Sequence, residues 1–257
     1  MKQTRLMMGM PITLEVVDAS VTAEAFEQVF AYFGYVDAKF STYKDTSEIM
    51  QINRGELTLH EASADMQQIF ALAEQTKQAT DGYFDIQHNG HIDPSGIVKG
   101  WAIYNDAQLL EQNGYENFYV DAGGDAQIVG KNMHGDNWRV GIRNPFNTRE
   151  IVKTVSLSNS GIATSGAYIR GDHIYNPLQS NDPLDEIVSM TVIGPNVYEA
   201  DRFATAAYAM GRQGILFIEA LDGFEGYMID RDGLATLTSG FVGYVHVDTQ
   251  ERVSGEF

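Results

Sequence analysis

The 257-residue chain contains no cysteine. Disulfides, thiol nucleophiles, cysteine-ligated zinc and lipid attachment through cysteine are therefore excluded. Proline is scarce, at six residues, so few positions force a break in helix or strand. No run is long and apolar enough to span a bilayer. The opening MKQTRLMMGMPITLEVVD lacks a continuous apolar segment and a small-residue cleavage site. It reads as the first strand of the fold, and the expected location is the cytoplasm. Positive charge is also short: 17 Lys and Arg face 35 Asp and Glu, for a net charge of −18. Such a surface repels nucleic acid and anionic membranes. Any phosphate must then be held locally, by a helix N-terminus, a few placed cations or a metal ion.

What is present supports a sizeable core, with 44% hydrophobic residues and 25 glycines. PITLEVV reads as a strand, and TAEAFEQVFAYFGYVDAKF carries apolar residues at helical spacing (Ala25, Phe26, Val29, Phe30, Phe33, Val36). A turn-rich stretch with a short helix follows, then a helix over ASADMQQIFALAEQTKQATDG that closes at Gly82. SGIVKGWAIYNDAQLLEQNG is a third helix, left at Asn113-Gly114. Strand-like segments then run from NFYVDAGGDAQIVG to IVSMTVIG, and EADRFATAAYAMG is a helix. LFIEALDGFEGYMIDRDGLATLTSGF reads as closing short strands and turns. The order is neither strict βαβ nor all-β, which favours an α+β fold with a mixed or antiparallel sheet in one compact domain over residues 1–257.

The late helix poses a problem. Asp201 and Thr205 lie four residues apart, hence on one helix face, among Ala, Phe, Tyr and Met. A buried carboxylate is costly unless paired. A carboxylate, a hydroxyl and backbone carbonyls form a hard-oxygen set suited to Mg²⁺; the plainer reading makes Asp201 a helix N-cap. In HIDPSGIVKGWA, Asp93 precedes a turn, Gly96 opens a helix and Lys99 follows in its first turn. Exposed N–H groups plus a lysine form an anion cradle, although the spacing is not that of a Walker loop. The plainer alternative is an ordinary helix start with a solvated lysine. For VDAGGD the plainer reading, a tight hairpin with Asp125 on its rim, is preferred. His173 is a candidate acid or base, or a diphosphate contact.

Taken in order, these segments resemble the ApbE family of FAD:protein FMN transferases. MGMP resembles that family's amino-terminal Met-Gly motif, and DAKFSTYKDTSEIMQIN its D-x-x-F-S-T-Y segment. TDGYFDI, DPSGIVKGWA, VDAGGD, ATSGAY, HIYNP and SMTVIGPNVYEADRFATAAYAMG are similar to its later motifs. The resemblance implies that Asp201, Thr205 and the Gly96 carbonyl hold Mg²⁺. It implies FAD contacts at Asp93, Lys99 and Tyr175, a flavin-ring bracket from Met8 and Tyr43, and a site lining from Tyr83, Phe84 and Asp85. It assigns catalysis to His173, with Asp93 the next candidate for the base. The implied reaction passes FMN from FAD to a threonine or serine hydroxyl of an acceptor flavoprotein, leaving AMP.

Two departures stand out. The family usually inserts several tens of residues after its F-D motif, whereas FDIQHNGHIDPSG joins the two motifs directly. HIYNPLQS carries Asn176 where the family has an acid. Both leave room for two rivals: hydrolysis of FAD to FMN and AMP, and flavin binding without catalysis.

Overall fold

The structure, a computed structural model, describes residues 1–166, 174–178 and 184–246. It opens with a hairpin of β1 (Lys2–Met7) and β2 (Met10–Val16). Between them Met8 and Gly9 have φ of 52° and 72°, the sign that a two-residue hairpin turn requires. The single opening strand expected from the sequence is thus two. Three helices follow: α1 (Ala23–Phe40), α2 (Glu48–Asn53) and α3 (Ala64–Ala79). Each starts on a hydroxyl cap, Thr22, Ser47 or Ser63, that accepts a first-turn N–H.

Next come a minimal hairpin, β3 (Gln87–His88) and β4 (His91–Ile92), and the long helix α4 (Ser95–Gln112). The hairpin closes the stretch that joins the two family motifs directly. Strands β5 (Phe118–Ala122), β6 (Asp125–Val129), β7 (Trp138–Asn144), β8 (Asn147–Leu157), β9 (Ser160–Ser165) and β10 (Ile187–Gly194) follow. The chain continues through α5 (Val197–Ala209), α6 (Gly214–Glu219), β11 (Glu225–Asp230) and β12 (Ala235–Leu237).

Eight strands form one sheet in the order β1-β2-β5-β6-β9-β10-β11-β12, and every neighbouring pair is antiparallel. The fold is α+β, as the sequence suggests. Side-chain alternation sorts the two faces of the sheet. Phe118, Val120 and Ala122 of β5 pack with α1, α3 and α4, while Tyr119 packs on the other face with Trp138. That other face is covered by the β7–β8 ribbon, which pairs only within itself among the described strands. The central strands β6 and β10 are buried almost throughout, as strands covered on both faces must be.

Two local expectations are corrected. α5 begins at Val197 on an Asn196 cap that accepts the Glu199 N–H at 2.9 Å, so Asp201 is an interior residue and not the cap. LFIEA, expected among strands and turns, lies largely in α6, whose Ile215 and Ile218 pack beside α5.

Asp106 of α4 is fully buried, and neither carboxyl oxygen has a hydrogen-bond partner among the described residues. Burial pushes its carboxyl well above the usual carboxylate range. The folded protein therefore keeps a proton that the unfolded chain releases near pH 4, so stability falls as pH rises from there toward the folded value. Asp106→Asn removes this linkage. It is expected to be more stable than the wild type by about 1–3 kcal/mol at pH 8, a margin that shrinks toward zero at pH 3. Urea unfolding at both pH values checks it; an advantage independent of pH would refute the linkage.

Candidate active site

The site forms where α4 and α5 pack closely. Gly100 makes this possible: a Cβ there would sit 2.6 Å from the Asp201 Cβ and 2.9 Å from the Val197 carbonyl oxygen. With no side chain in the way, the Gly100 N–H donates to Asp201 Oδ2 at 2.8 Å. Asp201 is only 3% exposed. Its Oδ1 lies 3.5 Å from the Lys99 ammonium, which also pairs with Asp125. One cation therefore bridges two buried carboxylates. One helical turn beyond Asp201, the Thr205 hydroxyl donates a long hydrogen bond to the Gly96 carbonyl at 3.5 Å and lies 3.3 Å from Ser165 Oγ.

Asp125 reaches this point through the Gly123–Gly124 turn. Both glycines have positive φ, 66° and 105°, as a tight turn between twisted strands demands. The turn returns the chain into β6 with Asp125 buried at its head, where Oδ1 accepts the Thr164 N–H at 2.9 Å. The expected hairpin is present, but Asp125 is buried in the site and does not sit on the rim. Lys99 is correspondingly enclosed and not solvated, its side chain only 16% exposed.

A solvent-open cleft of about 860 Å³ extends from this group. Its lining brings together Tyr83, Phe84, Asp85, Asp93 and Tyr175 with Gly96, Lys99, Asp201 and Thr205. Asp93 Oδ1 accepts the Ser95 N–H at 2.9 Å and so organises the entry to α4. Asp85 is ion-paired with Lys77 at 2.7 Å, and its carbonyl accepts the Tyr175 hydroxyl. The Tyr175 ring stacks on His88 at 3.9 Å, and burial raises its phenol above the ordinary tyrosine range. Asn176 shapes the same segment, accepting the Leu178 N–H at 2.9 Å.

Met8 and Tyr43 are not in the cleft lining; Tyr43 is 95% exposed, and Met8 packs against the main core. His173 lies outside the described residues. Asp125 and Ser165 fall in the VDAGGD and ATSGAY motifs, but the sequence assigns neither of them a role in the site. For Asp125 the signals were its place after a double glycine, which a turn explains equally well, and the likeness of VDAGGD to a family motif.

The donors fit a hard divalent cation better than a soft one. A buried carboxylate, a hydroxyl and a main-chain carbonyl belong to residues that line the same cleft, and all of them are oxygen donors. Among the described residues no group of three or more His, Asp or Glu could hold a metal unaided. An ion here would draw its remaining ligands from water and substrate, as Mg²⁺ commonly does.

An antiparallel sheet backed by helices carries, beside a glycine turn, a cleft lined by oxygen donors and one lysine. Comparison with known proteins gives the family. The ApbE family profile matches residues 8–90 and 87–228. The two stretches meet at the β3–β4 hairpin. The chain belongs to the ApbE family. It is 25% identical to an FAD:protein FMN transferase of Haemophilus influenzae, over 86% of this chain and 84% of that one. It is 32% identical to a protein of the same description from Salmonella typhimurium, over 56% of this chain but only 43% of that relative. Among solved structures, a flavin transferase ApbE from Vibrio cholerae superimposes with a TM-score of 0.82 at 22% identity, over 95% of this chain and 98% of that one. An ApbE protein from Thermotoga maritima gives 0.84 at 20% identity, over 96% and 99%.

Proposed function

We propose that this protein is an FAD:protein FMN transferase. It moves FMN from FAD to a threonine or serine hydroxyl of an acceptor flavoprotein and releases AMP. One observation carries the proposal. Lys99 lines one cleft together with Asp201, Thr205 and Gly96 and with the aromatic residues Tyr83, Phe84 and Tyr175.

The acceptor hydroxyl oxygen bonds to the FMN phosphorus, the bridging P–O bond to AMP breaks, and the hydroxyl proton leaves. The nucleophile is weak and the diphosphate is anionic, so positioning and charge neutralisation matter most. Asp201, Thr205 and the Gly96 carbonyl would hold Mg²⁺, which when bound supplies Lewis acidity and charge neutralisation at the diphosphate. Lys99 presents a cation beside it, and Asp125 with Asp201 fixes that ammonium in place. At the α4 N-terminus the Ser95 N–H donates to Asp93 and those of Ile97 and Val98 to the Pro94 carbonyl, so Lys99 is the main positive group this helix offers the diphosphate. Tyr83, Phe84 and Tyr175 offer ring faces and edges to the flavin or adenine. His173 is proposed as the base, and Asp93, in the cleft lining, is the alternative.

The test incubates the protein with FAD and Mg²⁺, with and without a co-expressed acceptor. Covalent flavin fluorescence on the acceptor in denaturing gels, with one AMP released per flavin, is the expected result. AMP and free FMN formed equally fast without acceptor would assign hydrolysis instead. FAD recovered intact in both arms would leave only flavin binding.

A further inference from the structure

Tyr175 lines the cleft, and two contacts with the stretch that follows Phe84 hold its side chain. Its hydroxyl donates to the Asp85 carbonyl, and one face of its ring lies on the His88 imidazole, with ring centres 3.9 Å apart and planes 25° from parallel. Next to it Ile174 packs on the core beside α5. The backbone is thus placed by that core, and the ring by Asp85 and His88. His88 is not itself in the cleft lining.

The sequence presents the imidazole from a fixed frame. Asn89 and Gly90 have φ of 50° and 79°, the pair of positive values that a two-residue hairpin turn requires. The turn sets His88 opposite His91, and the Asn89 amide nitrogen is hydrogen-bonded to His88 Nε2 at 2.9 Å. The stem of the hairpin is pinned from both sides. At the end of α2 the Asn53 side chain accepts the Ile92 N–H at 2.8 Å and donates to the Ile92 carbonyl at 2.9 Å. The Asp93 N–H donates to the Ile86 carbonyl at 2.8 Å, the Gln87 N–H to Asp85 Oδ1 at 2.9 Å, and Ile86 is buried in the main core. A short hairpin with this many anchors is a support and not a loose loop.

We propose that His88 is a positioning residue for FAD: it covers one face of the Tyr175 ring and fixes that ring so that its uncovered surface stacks on a planar ring of the dinucleotide. This rests on the transferase reading and adds to it a residue outside the cleft that sets the affinity for FAD. A ring already ordered in the free protein loses no further freedom on binding, which is how preorganisation raises affinity. Tyr175 meets a ring of FAD and not the reacting phosphorus, so the effect falls on binding and leaves the chemical step unchanged.

FAD binding to the full-length protein is followed by flavin fluorescence, and KM and kcat come from the transfer assay. His88→Ala is expected to raise Kd and KM for FAD about fivefold, the scale of one aromatic stack, with kcat within about twofold of the wild type. His88→Phe keeps a flat ring against Tyr175 and should restore both constants to within about twofold. Tyr175→Leu should weaken binding at least as much as His88→Ala. Adding His88→Ala to it should then change Kd by less than about twofold, because two residues that act as one unit are not additive. An unchanged affinity in His88→Ala, or the same loss in the Tyr175→Leu background as in the wild type, would overturn the positioning role and leave the transferase reading intact. A wild type that binds no FAD would overturn both, so its affinity is measured first.

Discussion

Asp201→Asn is expected to lower Mg²⁺-dependent flavin transfer about 10³-fold or more while the protein stays folded. The substitution keeps the size of the side chain and an oxygen that can still accept the Gly100 N–H, now at 2.8 Å. It removes the one carboxylate charge in the proposed metal set, and the loss of a preorganised charge at a phosphoryl centre is worth several kcal/mol. Lys99 keeps its second partner, Asp125, so the thermal midpoint should move by only a few degrees. Two measurements decide it: the rate of covalent flavin appearance against Mg²⁺ concentration, and the melting curve. A variant that melts like the wild type and turns over at the wild-type rate would reject the metal assignment.

Lys99→Met should act mainly on stability. Asp125 and Asp201 are 2% and 3% exposed, and the ammonium between them is the cation that both share. Removing one partner from a buried ion network typically costs about 3–5 kcal/mol, because charge stays in a low-dielectric interior. For a chain of this size that corresponds to a fall in Tm of roughly 6–20 °C. Added Mg²⁺ should raise the Tm of the variant more than that of the wild type, since the ion supplies the missing positive charge at Asp201. A Tm within about 2 °C of the wild type would show that the lysine is not the counterion of these acids. FAD affinity should fall in parallel, through loss of a cation in the cleft.

Much of the architecture is written in short-range pattern. The apolar spacing of Phe26, Val29, Phe30, Phe33 and Val36 predicts α1, and all five are buried against the sheet. The four-residue interval between Asp201 and Thr205 places both on one face of α5, and both line the cleft with Gly96 and Lys99. LFIEA illustrates the limit. A run of five mostly apolar residues suits a buried strand as well as a helix, and packing beside α5 settles the matter for α6.

Asp125 illustrates a deeper limit. Its neighbours in the chain specify a hairpin, and a hairpin residue is ordinarily at the surface. It is buried because β6 lies between β5 and β9 and because Lys99, from a helix 26 residues earlier, reaches it. The contact between Gly100 and Asp201 spans 101 residues of chain. Helical periodicity, strand alternation, turn glycines and oxygen-rich spacings act between residues a few places apart, so they can be read along the chain. Burial and the sharing of one ammonium by two acids depend on how distant elements pack. Those properties exist only once the sheet has closed and α5 has settled against α4.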